Sequence, residues 1–283
     1  MKIIDSFLFF NEFDMLDLRL NILDEYVDEF VLVESEVGFT GKPKRLFFNE
    51  NKHKFEKYLH KIKHVITKVP SNMEEFEWYF KNSKDTIQFE FFQRNSIIDS
   101  IKDEADDSVL FISDLDEIWD PCQLIPFIPQ MDDTKLYKPS SKICYFYFNL
   151  VASPYEWVQP VMLKSSLLKK FISQGYKLTQ DIIRNDFKKI NDRDIVILKD
   201  AGWHFSFTAD VIYKIQNSAH TMFDKPPYNT REYIDYCIKN KTNPFHGFPM
   251  SVIPEEQLND YLPSYVLENM DKYQKYILLE KTI

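Results

Sequence analysis

Residues 3–34, IIDSFLFFNEFDMLDLRLNILDEYVDEFVLVE, contain two apolar runs with an amphipathic segment between them. The runs Ile3–Phe10 and Phe30–Glu34 have the length and apolar content of buried strands. Between them, apolar side chains recur at helical spacing from Met15 to Leu23, with acidic residues on the other face. A strand–helix–strand unit favours parallel pairing of its two strands. This stretch therefore predicts an α/β fold built on a parallel sheet.

The alternation of helices and strands continues along the chain. The segments Glu50–Lys63 and Asp85–Lys102 are predicted to be helices, followed by strands at His64–Val69 and Ser108–Ser113. Further strands are predicted within 136–150, 156–166 and 194–198. Two C-terminal helices are predicted at 229–241 and 264–277. The sequence predicts a mostly parallel twisted sheet flanked by helices, a helical C-terminal region and a single domain over residues 1–283.

Composition and motifs exclude several classes of function. With 283 residues, 44% of them hydrophobic, the chain can bury the core of one large domain. Neither GxGxxG nor GxxxxGK(S/T) occurs, so dinucleotide binding of the Rossmann type and P-loop chemistry have no support. The net charge of −9 argues against a nucleic-acid partner, because such binding requires neutralisation of phosphates.

The cysteines and the apolar runs bear on the location of the protein. The three cysteines are too far apart for a zinc motif, and we expect free thiols in a reducing compartment. The longest uncharged run, Ile143–Tyr155, is too short to span a bilayer. Asp5 and Glu12 interrupt the apolar N-terminus before it reaches the length of a signal-peptide core. We therefore expect a soluble, cytoplasmic protein without an integral membrane segment.

An acidic segment, SDLDEIWD at 113–120, follows the fourth predicted strand. Ligands of open α/β sheets bind beyond the carboxyl ends of the strands, which is where Asp114 and Asp116 lie. Residues two apart in extended backbone point the same way, so both carboxylates face one point and repel. A divalent ion such as Mg²⁺ or Mn²⁺ removes that repulsion and shares its coordination with substrate phosphates. A solvated acidic turn, with Asp116 or Glu117 capping the next helix, explains the same residues equally well.

Several segments, taken together with this one, resemble glycosyltransferase family seventeen. The first half of the chain contributes FNEFD at 10–14, LDLR at 16–19, VDEFVLVES at 27–35, KP at 42–43 and LFF at 46–48. The set is completed by SDLDEI at 113–118 and AGWHFS at 201–206. Each segment is weak alone, but their order along the chain makes the resemblance fairly specific.

The resemblance implies a GT-A-like fold in which about residues 1–120 bind a nucleotide sugar and about residues 121–283 form the acceptor side. It implies a UDP-sugar donor, specifically UDP-N-acetylglucosamine, a glycan acceptor, Mn²⁺ or Mg²⁺, and inversion at the anomeric carbon. The leaving diphosphate develops negative charge, which a cation held by Asp116 and Asp114 would stabilise. His204 matches the histidine that GT-A enzymes place on the metal, and imidazole is an acceptable ligand for Mn²⁺.

The resemblance also implies roles for residues near the strand ends. Asn11, Glu12 and Glu34 would line the nucleotide pocket, and Arg94 would bind the diphosphate as a bidentate donor. Ordinary strand-end carboxylates and an exposed helix arginine are the alternatives at these positions. Arg19, which lies in the first predicted helix, is instead expected to form a structural salt bridge.

A single displacement also needs a base that takes the proton of the acceptor hydroxyl. Glu117, beside the expected metal, and Asp181, at the predicted start of a helix, are the main candidates, and Glu156 is a further alternative. Two other classes of function stay open. One is a nucleotidyltransferase or metal-dependent phosphohydrolase that uses the same acidic residues, and the other is a catalytically silent glycan-binding protein of the same fold.

Overall fold

Two β-sheets form the framework of the protein in a computed structural model, which describes residues 1–68, 87–175, 184, 190–208 and 210–279. The strands within these residues are β1 (Ile3–Leu8), β2 (Glu29–Ser35), β3 (Ile62–Thr67), β4 (Val109–Asp114), β5 (Glu117–Trp119), β6 (Leu136–Pro139), β7 (Ser141–Tyr145), β8 (Leu150–Trp157), β9 (Val161–Lys164), β10 (Ile195–Leu198), β11 (Gly202–Ser206) and β12 (Ser251–Val252). The α-helices are α1 (Phe13–Leu23), α2 (Phe47–Asn51), α3 (Ile87–Ile101), α4 (Pro121–Leu124), α5 (Ser165–Ser173), α6 (Val211–Asn217), α7 (Arg231–Lys239), α8 (Ser264–Glu268) and α9 (Met270–Tyr273). None of the helices in this part of the chain combines the length and the apolar character needed to cross a membrane.

The larger sheet has seven strands in the order β10-β6-β9-β4-β1-β2-β3. Strand β1 pairs in parallel with both β2 and β4, and β2 pairs in parallel with β3. Strand β9 is antiparallel to β4 and to β6. The predicted α/β class is therefore confirmed, whereas the sheet is mixed rather than purely parallel. The GT-A-like architecture stays a prediction.

The smaller sheet has five strands in the order β12-β8-β7-β11-β5. Only β7 and β11 pair in parallel within it, and the other neighbours are antiparallel. This second sheet was not expected from the sequence. Strands β5 and β12 have only 3 and 2 residues, too few for a recognisable alternation of apolar and polar residues.

Two predicted helices are wrong in extent. Within the predicted helix Glu50–Lys63, Phe55 has a non-helical backbone, and Ile62 already belongs to β3. The predicted helix 264–277 is interrupted at Asn269, which has φ −123° and ψ 37°. In both segments the apolar spacing is helical over one or two turns, but backbone breaks divide the chain into short pieces that tertiary contacts hold in place.

Alternate residues of the central strands pack on opposite faces of the larger sheet. Phe30 of β2 lies in one apolar cluster with Leu16 of α1, and Val31 lies in another with Ile97 of α3. All four side chains are fully buried. Because apolar clusters lie on both faces, these strands need no polar side, and this explains the apolar runs within β2 and β4.

Strand β11 approaches β5 closely at Gly202. A Cβ atom at this position would lie 2.5 Å from the carbonyl oxygen of Ile118, so a larger residue would force the backbone to shift. The pairing places Gly202 opposite Trp119 and His204 opposite Glu117. Gly202 thus permits the strand contact that brings His204 to the acidic segment.

Arg19 of α1 is fully buried and connects β1 to the segment after β4. Its Nε and Nη2 atoms donate to the two carboxylate oxygens of Asp5 at 2.7 and 2.6 Å. Its Nη1 atom donates to the backbone carbonyl oxygens of Asp114, Leu115 and Glu117 at 2.8, 3.1 and 2.9 Å. The predicted structural salt bridge is present, and the same side chain also fixes the backbone of the acidic segment.

We predict that Arg19→Met lowers the free energy of unfolding by about 3–5 kcal/mol, because it leaves Asp5 as a buried charge without its partner. Urea denaturation followed by circular dichroism measures this change. Arg45→Met is the matched control, since Arg45 is 74% exposed and pairs with Glu50 at the surface, and we expect it to leave the free energy of unfolding essentially unchanged. Equal losses in the two variants would contradict the structural role of Arg19.

Candidate active site

A cavity of about 490 Å³ lies at the carboxyl ends of β1 and β4. These strands are parallel neighbours, with Leu8 opposite Asp114, so the segments that follow them reach the same edge of the sheet. Ionisable side chains from several parts of the chain line this cavity: Glu12, Glu90, Arg94, Asp114, Asp116, Arg184, His204, Lys214 and His220. A second cavity, of about 230 Å³, shares Glu12, Asp116 and Lys214 with the first.

Two arginines bind Asp114. The Nη1 and Nη2 atoms of Arg94 donate to its two carboxylate oxygens at 2.5 and 3.0 Å, and Nη2 of Arg184 donates to Oδ2 at 3.1 Å. Burial alone would raise the pKa of Asp114, but the Arg184 and Arg94 guanidiniums outweigh burial and hold that pKa well below its usual range. Arg94 therefore makes its bidentate contact with Asp114, and its predicted contact with a diphosphate stays a prediction.

Asp116 faces a lysine and a histidine. The Nζ atom of Lys214 donates to Oδ2 at 2.7 Å, and Nε2 of His204 lies 3.7 Å from Oδ1. Burial acts to raise the pKa of Asp116, yet the Lys214 ammonium and His204 bring that pKa below its ordinary value. The backbone N–H of Phe205 donates to the Asp116 carbonyl at 2.8 Å, which attaches β11 to the acidic segment. Two of the three predicted metal ligands are thus brought together.

Asp116 and His204 fit a divalent cation, whereas Asp114 does not. Oδ1 of Asp116 and Nε2 of His204 are 3.7 Å apart and share no hydrogen bond, and an ion about 2.1 Å from each atom spans such a gap. Both oxygens of Asp114 already accept from arginine. Among the residues that the structure describes, no three His, Cys, Asp or Glu side chains form a metal cluster. Water and substrate oxygens would therefore supply the remaining ligands.

Glu117 is fully buried, and its carboxylate accepts from four donors. Trp157 Nε1 and Arg184 Nη2 donate to Oε1 at 2.6 and 2.8 Å. Arg184 Nη1 and the backbone N–H of Asp114 donate to Oε2 at 3.0 and 2.7 Å. An acceptor hydroxyl would have to displace one of these donors, so the geometry favours a positioning role over that of a base. The other predicted base, Asp181, lies outside the described residues.

Glu34 is not among the residues that line either cavity. Its Oε1 atom accepts from the backbone N–H of Phe48 at 2.9 Å, and its Oε2 atom accepts from that of Asn49 at 3.2 Å. Nε2 of His64 lies 3.1 Å from Oε2. These contacts satisfy backbone groups of the first turn of α2. The geometry supports a structural role for Glu34 and offers no support for the predicted donor contact.

Asn11 and Glu12 follow β1 and reach the site. Glu12 lines both cavities, and its Oε1 atom is 3.7 Å from Nζ of Lys214. Asn11 lines the smaller cavity. Their positions suit contact with a ligand bound at this edge of the sheet, and their donor-binding roles stay predictions.

Two basic residues at the site, Arg184 and Lys214, were not predicted from the sequence. Both lie in the second half of the chain, in segments without a recognised motif. The available signal was charge, because carboxylates such as Asp116 and Glu117 cannot be buried together without cations. Charge alone does not identify which basic residues pair with these acids, since the chain contains 35 Lys and Arg residues.

The fold and the site together define an α/β protein with a charged, ligand-sized cleft at the carboxyl ends of parallel strands. The family model of glycosyltransferase family 17 matches residues 1–281. The chain therefore belongs to glycosyltransferase family 17, which confirms the resemblance seen in the sequence.

The chain is also similar to mammalian enzymes. The β-1,4-mannosyl-glycoprotein 4-β-N-acetylglucosaminyltransferases of Rattus norvegicus and Homo sapiens are each 25% identical to it, over 98% and 95% of this chain. The matches cover 54% and 53% of those proteins, so the chain spans about half the length of the curated relatives it matches.

We predict that Glu34→Ala lowers the free energy of unfolding by about 1–3 kcal/mol, because buried N–H groups of α2 lose a charged acceptor. The affinity of the folded variant for UDP, measured by calorimetry, should equal that of the wild type. Glu36→Ala is the control, because Glu36 is 46% exposed and its ion pair with Lys68 spans 4.0 Å. Weaker UDP binding at unchanged stability would restore the donor-binding role of Glu34.

Proposed function

We propose that this protein is a metal-dependent, inverting glycosyltransferase that transfers N-acetylglucosamine from UDP-N-acetylglucosamine to a hydroxyl group of a glycan. The observation that carries the proposal is the convergence of Asp116, His204 and Lys214 at one cavity in a member of glycosyltransferase family 17. The names of the mammalian relatives specify N-acetylglucosamine as the sugar that those proteins transfer, and the proposal extends that sugar to this chain.

The size and lining of the larger cavity suit a nucleotide sugar. Its volume of about 490 Å³ lies within the range of about 300–1,000 Å³ that is usual for small-molecule sites. Aromatic side chains that can pack against a nucleobase, Phe10, Phe39 and Phe91, line the same cavity as the charged residues. A ligand with one apolar ring and one anionic group matches this combination.

The transfer breaks the bond between the anomeric carbon and a diphosphate oxygen, and it forms a bond between that carbon and the acceptor oxygen. The electron pair of the broken bond stays on UDP, and the acceptor hydroxyl releases its proton to a base. A divalent cation held by Asp116 and His204 would supply charge neutralisation for the leaving diphosphate. Attack from the face opposite to UDP in one step inverts the configuration of the sugar.

The ion pairs around this site hold the reacting groups in place. Arg19 binds the backbone of the acidic segment, and Arg184 joins Asp114 to Glu117. Because both ends of the segment are fixed, Asp116 needs little reorganisation before it acts on a ligand. Such preorganisation is the main way in which a protein stabilises developing charge.

A nucleotidyltransferase or a phosphohydrolase would use the same acidic residues, but the family to which the chain belongs favours sugar transfer. A catalytically silent glycan-binding protein of the same fold differs in a measurable way. Such a protein would not require a metal ion at Asp116 in order to bind a nucleoside diphosphate.

We predict that Mn²⁺ increases the affinity of the protein for UDP by at least about tenfold, equivalent to about 1.4 kcal/mol. Asp116→Asn should remove that increase, because it deletes a charged oxygen ligand of the cation. Isothermal titration calorimetry with UDP, in Mn²⁺ and in EDTA, measures both quantities. Asp133→Asn makes the same chemical change at an exposed position and should behave as wild type. An affinity for UDP that changes neither with Mn²⁺ nor with Asp116→Asn would contradict the proposed cation site.

We further predict that, among UDP-sugars, UDP-N-acetylglucosamine is consumed fastest and that the product has the β configuration. Release of UDP across a donor panel ranks the sugars, and proton NMR of the anomeric signal assigns the configuration. His204→Ala should lower the rate by at least about a hundredfold, since an interaction with the leaving charge is worth about 3 kcal/mol. An α-configured product would rule out single displacement, and release of pyrophosphate would favour nucleotidyl transfer.

A further inference from the structure

Lys214 lies where the two cavities meet. Its Nζ atom is 2.7 Å from Oδ2 of Asp116 and 3.7 Å from Oε1 of Glu12, and all three residues line both cavities. The ammonium also lies 5.4 Å from the centre of the Phe207 ring. A ligand in either cavity therefore reaches the same cation.

The sequence around Lys214 fixes its place. Asp210 caps α6 by accepting from the backbone N–H of Tyr213 at 3.1 Å. Val211 and Ile215 of the same helix are buried in an apolar cluster. The ring of Tyr213 packs against Phe10 with 5.8 Å between centroids, which attaches α6 to the segment after β1. The helix thus holds Lys214 at the edge of the sheet while its side chain extends toward the acidic segment.

Of the three Lys and Arg residues that line the larger cavity in the described part of the chain, Lys214 is the most accessible. The side chain of Arg94 is 9% exposed and that of Arg184 is 2% exposed, whereas that of Lys214 is 30% exposed. Both guanidiniums have their Nη atoms engaged by carboxylates such as Asp114. The ammonium of Lys214 carries three donors on a flexible stem and shows one hydrogen bond among the described residues, to Asp116.

The ammonium of Lys214 faces two carboxylates, Asp116 at 2.7 Å and Glu12 at 3.7 Å. The site therefore presents a positive, partly exposed group whose present partner is the carboxylate that is proposed to hold a cation. A phosphate oxygen is the kind of acceptor that an ammonium binds strongly.

We propose that Lys214 is a diphosphate-binding residue, whose ammonium neutralises Asp116 before a ligand binds and donates to diphosphate oxygens afterwards. The proposal rests on the function proposed above and specifies how the chain itself recognises the anionic part of the donor. It assigns the preference for a nucleoside diphosphate over a nucleoside monophosphate to Lys214. In this proposal, Lys214 makes no contact with the nucleoside, which other residues of the cavity would bind.

Calorimetry with UDP, UMP and uridine, at constant Mn²⁺ concentration, tests this assignment. In Lys214→Met we expect the affinity for UDP to fall by at least about tenfold, because a charge-assisted hydrogen bond to the diphosphate is lost. UMP should lose less affinity and uridine none. Lys214→Arg keeps the charge and should stay within about threefold of wild type for UDP. Lys239→Met, at an exposed position of α7, removes the same charge and should bind all three ligands as wild type does.

The possible outcomes separate the two proposals. Unchanged UDP affinity in Lys214→Met, or equal losses for UDP and UMP, would show that Lys214 only balances Asp116, and would overturn the inference alone. A wild-type protein that binds no UDP would overturn the proposed function together with the inference. Circular dichroism verifies that each variant is folded. If Lys214→Met does not fold, Lys214→Gln, which keeps a hydrogen-bond donor but lacks the charge, serves in the same comparison.

Discussion

The guanidinium of Arg19 connects the two strands whose carboxyl ends form the candidate site. One planar group with five donors satisfies both oxygens of Asp5 and three carbonyl oxygens at and after the end of β4, which a single ammonium cannot do. Without it, these carbonyl oxygens would lose a charged donor, and buried backbone groups without partners are costly. The path of the backbone through Asp114 and Asp116 therefore depends on a residue that lies almost a hundred positions earlier in the chain.

Charge balance is the second constraint, and it divides the site into a closed part and an open part. Asp114 is held by Arg94 and Arg184, which have little exposed surface and several carboxylate contacts. Asp116 is held by Lys214, which is partly exposed at the junction of two cavities. Because Arg94 and Arg184 are almost fully covered, we expect the closed part to keep its geometry when a ligand binds, and we expect Lys214 in the open part to exchange one anion for another. This division assigns rigidity to the arginines and ligand recognition to the lysine.

Regular periodicity explains which parts of the fold were predictable. Strands β2 and β4 contain apolar runs because apolar clusters lie on both faces of their sheet, and such runs are visible in a single sequence. Strand β11 was missed although Trp203 and Phe205 alternate with His204 and Ser206, because the segment has only 5 residues and all of them are buried. Its place depends on the close approach of Gly202 to Ile118, which is a contact between distant segments.

The sequence by itself determined the order of the first strands and helices, the position of Asp114 and Asp116 at a strand end, and membership of a family. Only the tertiary structure decided the partners of these acids. It separated Asp116, which meets His204, from Asp114, which is bound by arginines. It also placed Glu34 against the backbone of α2. The physical reason is that periodicity is a local property of the chain, whereas an ion pair depends on distance in space, and any of 35 basic residues satisfied the sequence equally well.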